Sequence, residues 1–142
     1  MSASFTFNSI TSTSKNIIVH SIDKPMLPQI ITTSKQFGNR SYIGQRSFAP
    51  RNIDIEVSYL GSSVGDLYSK LTDVGNWLIT KDEKKLILSY EPTYYYKAVL
   101  TESTDVEKLI AYGKTTLHFV AYDTAIYLVS NDSKVWNPDT YL

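Results

Sequence analysis

Alternation of apolar and polar residues dominates the chain and predicts a mainly β protein. The clearest case is residues 51–60, where every second residue from 53 to 59 is apolar and the residues between these are polar. Strict alternation gives a strand with one buried and one wet face, which is typical of antiparallel sheets. The apolar positions of this strand are Ile53, Ile55, Val57 and Tyr59. Further short strand patterns occur at residues 5–8, 17–22, 86–90, 94–101, 115–122 and 125–129.

Two of these patterns predict more than a strand. Phe5 to Asn8 ends on a turn former, which predicts a short first strand followed by a tight turn. Ile17 to Ile22 is apolar on both faces, so we expect it to lie inside a sheet and not at an open edge.

One stretch, Val64 to Ile79, has helical spacing. Its apolar residues recur every three or four positions and form a single stripe. Asp66 lies in the first turn, where the helix dipole favours an acid. The stripe consists of Val64, Leu67, Tyr68, Leu71, Val74 and Leu78. Residues 105–112 are ambiguous, because Val106, Leu109 and Ile110 suit a helical turn as well as a strand.

One helix and about eight strands predict an α+β, mainly β fold. We expect an antiparallel β-sandwich with one packed α-helix and an extended β-hairpin arm. The arm is predicted at about residues 29–48, because Gly38-Asn39 can turn the chain and Gly44 can form a bulge. At 142 residues, the main domain is predicted at 1–130, with 131–142 as a loosely held polar tail.

The charge of the chain is unevenly distributed. The 14 basic and 14 acidic residues balance, yet residues 24–53 hold five bases and no acid. These bases are Lys24, Lys35, Arg40, Arg46 and Arg51, which include every arginine of the chain. The arm is either a solvated loop or a surface that contacts a neighbouring subunit, and arginine and aromatic residues are enriched in interface cores. The predicted subunit-interface residues are Phe37, Arg40, Tyr42, Arg46, Phe48 and Arg51.

Composition argues against several functional classes. The chain has no cysteine and two histidines, without the spacing of a zinc site, so we predict no metal and no cofactor. Zero net charge disfavours general nucleic-acid binding. No stretch approaches the roughly 20 apolar residues that a membrane span needs.

A possible nucleophile occurs at residues 61–65, which read Gly-Ser-Ser-Val-Gly. Ser63, with Asp82, Asp105 and His118 following in hydrolase order, matches the motif of a serine hydrolase. The preceding strand is half polar, whereas hydrolase sheets are parallel and buried on both faces. We therefore interpret the motif as a turn that caps the helix, and we predict that the chain is not an enzyme.

Residues 89–100 read Ser-Tyr-Glu-Pro-Thr-Tyr-Tyr-Tyr-Lys-Ala-Val-Leu and predict two strands that meet at a Glu-Pro corner. The Tyr94–Tyr96 run could also serve a small carbohydrate-binding β-sandwich, which is our alternative prediction. The segment resembles the Glu-Pro-x-x-Tyr-Tyr-Lys-Ala signature of siphophage distal tail proteins. Further resemblances, in the family's order, are Phe-x-Phe-Asn at Phe5, a basic-Pro-x-Leu-Pro element at Lys24, and Phe-x-Ala-Tyr-Asp at Phe119.

The resemblance implies a structural role at the phage tail tip. Members of that family form a six-membered ring that joins the tail tube to the tail-tip spike or lysin and to receptor-binding proteins. The implied partners are therefore copies of itself and these tail proteins, with no membrane and no specific nucleic-acid binding, although DNA can pass through the ring. The resemblance also favours a strand at residues 105–112. Family members often add a C-terminal domain, and this chain stops where that domain would begin, so we expect either a minimal member or a fragment, with residues 131–142 as the start of a missing or absent second domain.

Overall fold

The structure is a computed structural model that describes residues 3–25, 27–38, 40–59 and 67–137. Within these ranges it contains eleven strands, one 3-10 turn at Ser12–Lys15 and two helices. The helices are α1 (Leu67–Leu78) and α2 (Thr104–Tyr112). The strands are β1 (Phe5–Phe7), β2 (Ile10–Thr11), β3 (Ile17–Asp23), β4 (Ile30–Phe37), β5 (Arg40–Phe48), β6 (Arg51–Tyr59), β7 (Lys84–Leu88), β8 (Tyr94–Leu100), β9 (Lys114–Ala121), β10 (Ile126–Leu128) and β11 (Lys134–Trp136).

Antiparallel pairing joins nine of these strands into one sheet. Its order is β2-β1-β7-β8-β9-β6-β3, and β10 pairs with both β8 and β11. The first residues of β8 pair with β10 and its last residues with β9, so this strand lies at the centre of the sheet. The prediction of an α+β, mainly antiparallel fold is confirmed.

The sheet curls over on itself and encloses the core. The rings of Phe5 and Phe7 in β1 lie 6.0 and 5.1 Å from the ring of Phe119 in β9. Two strands separate β1 from β9 in the sheet order, which would place them about 14 Å apart if the sheet were flat. The apolar faces of the two halves therefore pack against each other as a sandwich, and Trp77 of α1 and Leu109 of α2 are buried in the same cluster.

The turn between β1 and β2 forms although the sequence lacks the favoured glycine. Asn8 and Ser9 have φ values of 52° and 68°, and Phe7 pairs with Ile10. Two central residues with positive φ are typical of a type I′ hairpin turn, which usually holds glycine at the second position. Ser9 therefore carries a Cβ in a left-handed conformation that glycine adopts without a steric cost.

We expect Ser9→Gly to raise the free energy of unfolding by about 1 kcal/mol, because the substitution removes the steric cost of the left-handed conformation. Urea denaturation monitored by tryptophan fluorescence would measure this gain. The control is Ser21→Gly in β3, where φ is not positive. This control should destabilise the protein, since glycine weakens a strand interior. A loss of stability in Ser9→Gly would contradict the turn geometry.

Residues 104–112 form a helix, so the expected strand at 105–112 was wrong. The apolar residues Val106 and Leu109 are buried against the core, and Asp105 and Glu107 occupy the first turn, where acids are favoured. Gly113 ends the helix with φ 76° and donates its N–H to the Leu109 carbonyl at 2.8 Å. Among the residues that the structure describes, the fold therefore has two packed helices, where one was predicted.

The helix expected at Val64 to Ile79 is present as α1 over Leu67–Leu78. The start of the predicted helix and the Ser63 motif lie outside the described residues. Val74 and Leu78 are buried, as the helical stripe predicts, and Trp77 is buried beside them.

β3 lies at the edge of the large sheet, which corrects a second expectation. Among the described strands it pairs with β6 alone. Ile17 and Val19 face the core, whereas Ile18 is 37% exposed on the opposite face. The apolar residues on both faces of this strand therefore do not indicate a position inside the sheet of this chain.

The predicted hairpin is present as β4 and β5. In the described part of the chain these strands pair only with each other, and Ala49 N donates to the Gln29 carbonyl at 2.6 Å to close the base. Gly38, with φ 59°, lies in the turn. The register passes from Ser34↔Ile43 to Thr32↔Arg46, so two residues of β5 oppose one residue of β4 at the bulge that Gly44 predicted.

The C-terminal tail is partly ordered. Residues Lys134–Trp136 form β11 and pair with β10, with Ile126 opposite Trp136. The predicted boundary after residue 130 therefore falls in the turn of the β10–β11 hairpin, and the expectation of a loosely held tail was wrong for these three residues. The assignment of residues 131–142 as the start of a missing or absent second domain stays a prediction.

Candidate functional site

The Glu-Pro corner between β7 and β8 holds a carboxylate with two partners. Glu91 Oε2 accepts a hydrogen bond from the Tyr96 hydroxyl at 2.8 Å, and Glu91 Oε1 lies 2.9 Å from Lys24 Nζ. The Lys24 and Glu91 side chains are only 10% and 22% exposed, so water screens this ion pair less than a surface pair. Glu91 therefore ties the corner to the segment that runs from β3 towards the hairpin.

Arg51, the first residue of β6, is completely buried. Its Nη1 donates to the Pro25 carbonyl and its Nη2 to the Thr124 carbonyl, each at 3.1 Å. The guanidinium carbon lies 5.4 Å from the ring centroid of Tyr96 and 5.7 Å from that of Trp136. The prediction that Arg51 contacts a neighbouring subunit is wrong, because its guanidinium is enclosed by partners in its own chain.

The end of the hairpin packs on the C-terminal strand. The ring of Phe48 meets the ring of Trp136 edge-on, with centroids 5.1 Å apart. Phe48 is half-buried, so its predicted role at a subunit interface stays a prediction for its exposed part. We call the set Lys24, Phe48, Arg51, Glu91, Tyr96 and Trp136 the hairpin root. It fixes both ends of the β4–β5 hairpin to the sheet.

The remaining predicted interface residues lie along the hairpin itself. Arg40 is the register partner of Phe37 beside the turn, and Arg46 is the partner of Thr32. Tyr42 pairs in register with Lys35. The side chains of Phe37, Arg40, Tyr42 and Arg46 lie outside the described residues, so their contact with another subunit stays a prediction.

The tyrosine run contributes to packing on both faces of β8. Tyr95 and Tyr96 are each 2% exposed, and Tyr94 is half-buried. The Tyr95 hydroxyl donates to Asp132 Oδ1 at 2.7 Å, and burial together with this hydrogen bond raises the pKa of Tyr95 to about 12. An aromatic sugar-binding platform needs exposed ring faces, so this geometry does not favour the carbohydrate-binding alternative.

Two residues considered for a hydrolase do meet in space. Asp105 at the start of α2 is buried, and its Oδ2 lies 2.8 Å from His118 Nδ1 and accepts the His118 backbone N–H at 3.0 Å. Glu102 Oε2 lies 4.0 Å from the same ring nitrogen. These three side chains could hold a metal ion by their spacing. The surrounding sheet is antiparallel, unlike that of a hydrolase, and the contact ties α2 to β9.

We expect the Asp105 contact to make stability depend on pH. The hydrogen bond to Asp105 is the main cause that raises the pKa of His118 in the folded state. Its stabilisation is fully present below the unfolded pKa of about 6.5 and is lost as pH rises through the higher folded pKa. NMR titration should give a His118 pKa above 6.5, and Asp105→Asn should lower it. An unchanged pKa in that variant would contradict the assignment.

Comparison with known proteins places the chain in a family. Residues 6–121 match the family model described as the phage tail protein RIFT-related domain. The chain belongs to this family. Comparison with curated proteins gave no match. The matched region contains the whole hairpin and every member of the root except Trp136.

Two solved phage structures are similar to this chain to different degrees. The crystal structure of SPP1 Dit (gp 19.1), described as a paradigm of the hub adsorption apparatus of phages that infect Gram-positive bacteria, superposes with a TM-score of 0.69 at 15% identity. The superposition covers 90% of this chain and 52% of that chain. The phage p2 baseplate in its activated conformation with Sr gives 0.49 at 15% identity, over 84% of this chain and 43% of that chain. The chain thus spans about half the length of SPP1 Dit.

The family match and the fold shared with SPP1 Dit confirm the resemblance to siphophage distal tail proteins. The chain is therefore a phage tail protein. Within the described ranges, neither helix is long and apolar enough to cross a membrane.

Contacts within the hairpin root connect two motifs of this tail protein that are separate in the sequence. Lys24 of the basic-Pro-x-Leu-Pro element pairs with Glu91 of the Glu-Pro corner, and Arg51 donates to the carbonyl of Pro25. Sequence reasoning did not identify Trp136 as a member of the hairpin root, or the Thr124 carbonyl as an acceptor for Arg51. Trp136 was a detectable signal, because a tryptophan in a polar C-terminal segment needs an apolar partner. Thr124 acts through its backbone carbonyl, which leaves no signal in residue type.

Proposed function

We propose that this tail protein forms the hub of a siphophage tail tip as a homohexameric ring. The ring joins the tail tube to the tail-tip spike or lysin protein and offers attachment to receptor-binding proteins. The family and the fold shared with the SPP1 hub protein over 90% of the chain support this proposal. No other candidate function has comparable support.

The observation that carries ring formation is the β4–β5 hairpin. Among the described strands, β4 and β5 form no backbone hydrogen bonds of a β-ladder with the large sheet. The hairpin root nevertheless fixes both ends of the hairpin. Such an element presents a surface that differs from the rest of the molecule. A closed ring needs two different, complementary surfaces on each subunit, so a fixed hairpin with three basic positions suits head-to-tail closure.

The test is charge reversal on the hairpin. We expect Arg40→Glu/Arg46→Glu to leave a folded monomer that no longer assembles, since the change replaces two cations of the proposed contact by anions. Native mass spectrometry and light scattering would show the loss of a species six times the 16.1 kDa mass of one chain. Circular dichroism would check folding.

The matched control is Lys81→Glu/Lys108→Glu, which reverses two exposed lysines away from the hairpin. This control should assemble as the unmodified protein does. Rings that persist in the arginine variant, or that vanish equally in the control, would refute the role of the hairpin. A monomer of the unmodified protein at every concentration and salt tested would refute self-assembly.

A further inference from the structure

A row of acids crosses the polar face of the sheet. Asp54 in β6 is the register partner of Asp23 in β3 on one side and of His118 in β9 on the other. Directly opposed residues project from the same face, and Ile53 and Ile55 are buried on the other face. The row therefore lies opposite the core. Two like charges in direct register destabilise a sheet unless a cation approaches them.

Two further carboxylates extend this row. Glu56 is two residues beyond Asp54 on the same face, and Glu102 lies 4.0 Å from the His118 ring. The Glu102 side chain is 55% exposed and that of Glu56 is 40% exposed. We call Asp23, Asp54, Glu56 and Glu102 the acidic face. In the part of the chain that the structure describes, its basic neighbours are Lys114, 3.5 Å from Glu56, and His118, which lies opposite Asp54 and 4.0 Å from Glu102.

The opposite charge is concentrated on the hairpin. Residues 24–53 hold five bases and no acid, so in this neutral chain all other residues together carry a net charge of −5. Lys24 and Arg51 are already engaged inside the hairpin root. The other three bases, Lys35, Arg40 and Arg46, all lie on β4 and β5.

We propose that the acidic face receives the β4–β5 hairpin of a second copy of this chain. The inference rests on the proposed ring and adds the surface that accepts the hairpin. Arg40 and Arg46 approach Asp54 and Glu102 of the neighbouring copy, whose negative charges are gathered on one exposed face. Because the donor and the acceptor are different surfaces, each copy can give its hairpin to one neighbour and receive that of another, as a closed ring requires.

Charge reversal of the acceptor tests this assignment. We expect Asp54→Lys/Glu102→Lys to weaken association about 100-fold, from like-charge contacts worth roughly a factor of ten each. The neutral pair Asp54→Asn/Glu102→Gln should weaken it less and serves if the lysine variant does not fold. The control is Asp73→Lys/Asp82→Lys, which makes the same change in net charge on α1 and the turn after it and should assemble normally.

Combining variants makes the test specific. The hairpin variant Arg40→Glu/Arg46→Glu and the acceptor variant Asp54→Lys/Glu102→Lys should each be monomeric. The protein that carries all four substitutions should regain assembly, because both charges of the contact are exchanged. In an equimolar mixture of the two separate variants, the hairpin arginines of the acceptor variant meet the native acids of the hairpin variant, and the hairpin glutamates of the hairpin variant meet the lysines of the acceptor variant. Both contacts of an alternating ring are then complementary, so the mixture should regain a species of six times the 16.1 kDa chain mass.

The outcomes separate the two proposals. If the unmodified protein and the acceptor variant assemble equally while the hairpin variant does not, the acidic face is not the acceptor, and the proposed ring stands. If the unmodified protein does not self-associate, the ring and the acceptor both fail. Restored assembly in the fourfold variant and in the mixture, with each separate variant monomeric alone, supports the acceptor assignment.

Discussion

Replacing Arg51 with methionine is expected to lower the free energy of unfolding by about 3 kcal/mol. Methionine fills a similar volume but cannot donate a hydrogen bond. The carbonyls of Pro25 and Thr124 therefore lose the hydrogen bonds that they accept from the guanidinium. Each buried acceptor left without its partner costs about 1–3 kcal/mol. The contacts with the rings of Tyr96 and Trp136 also lose their cation–π part. For a chain of this size, the loss corresponds to a Tm lower by roughly 10 °C.

Thermal and urea denaturation would measure this effect, with Lys108→Met as the control. Lys108 is exposed on α2, so its replacement should change stability by less than about 0.5 kcal/mol. A small effect of Arg51→Met, close to that of the control, would mean that the guanidinium does not hold the hairpin root together. Burial lowers the pKa of Arg51, yet the guanidinium stays charged at neutral pH.

Arg51 also shows where inference from sequence stops. Its position in a run of five bases without an acid suggested a surface residue, because charged side chains are rarely buried. The structure instead surrounds it with carbonyls and aromatic rings that lie 26 to 85 residues away along the chain. Contacts over such distances depend on the curl of the sheet, which a local pattern does not specify.

Local patterns did predict the elements that depend on local chemistry. Alternation located β6 and β9, and helical spacing located α1. Gly38 and Gly44 located the turn and the bulge of the hairpin. The helix at residues 104–112 was missed although its apolar spacing, its acidic first turn and its terminal glycine were all present. At these residues the resemblance to the family favoured a strand, and it was given more weight than the helical spacing.

The candidate site was predictable in its motifs but not in their assembly. The Glu-Pro corner and the basic-Pro-x-Leu-Pro element were each recognised from the sequence. Their connection, a Lys24–Glu91 ion pair with both side chains largely shielded, follows only from the fold. The same holds for Asp105 and His118, which the chain brings together by packing the start of α2 against β9.

Replacing Trp77 with alanine is expected to cost about 4 kcal/mol, the largest effect of a single core substitution that we predict. Trp77 is 3% exposed, stacks on Phe5 with ring centroids 5.5 Å apart, and donates its Nε1–H to the Phe7 carbonyl at 2.8 Å. Loss of a buried tryptophan leaves a cavity between α1 and β1, and such substitutions cost about 3–5 kcal/mol.

Trp77→Phe separates the two contributions, because phenylalanine keeps most of the ring packing and loses the donor. We expect it to cost about 1–2 kcal/mol, the price of a buried carbonyl without a partner. Urea denaturation followed by far-UV circular dichroism avoids the change in tryptophan fluorescence. Tyr112→Ala, at an aromatic residue that is 80% exposed, should change stability by less than about 0.5 kcal/mol. If Trp77→Phe costs as much as Trp77→Ala, the hydrogen bond outweighs the packing, and the curled sheet is held to α1 mainly through the Phe7 carbonyl.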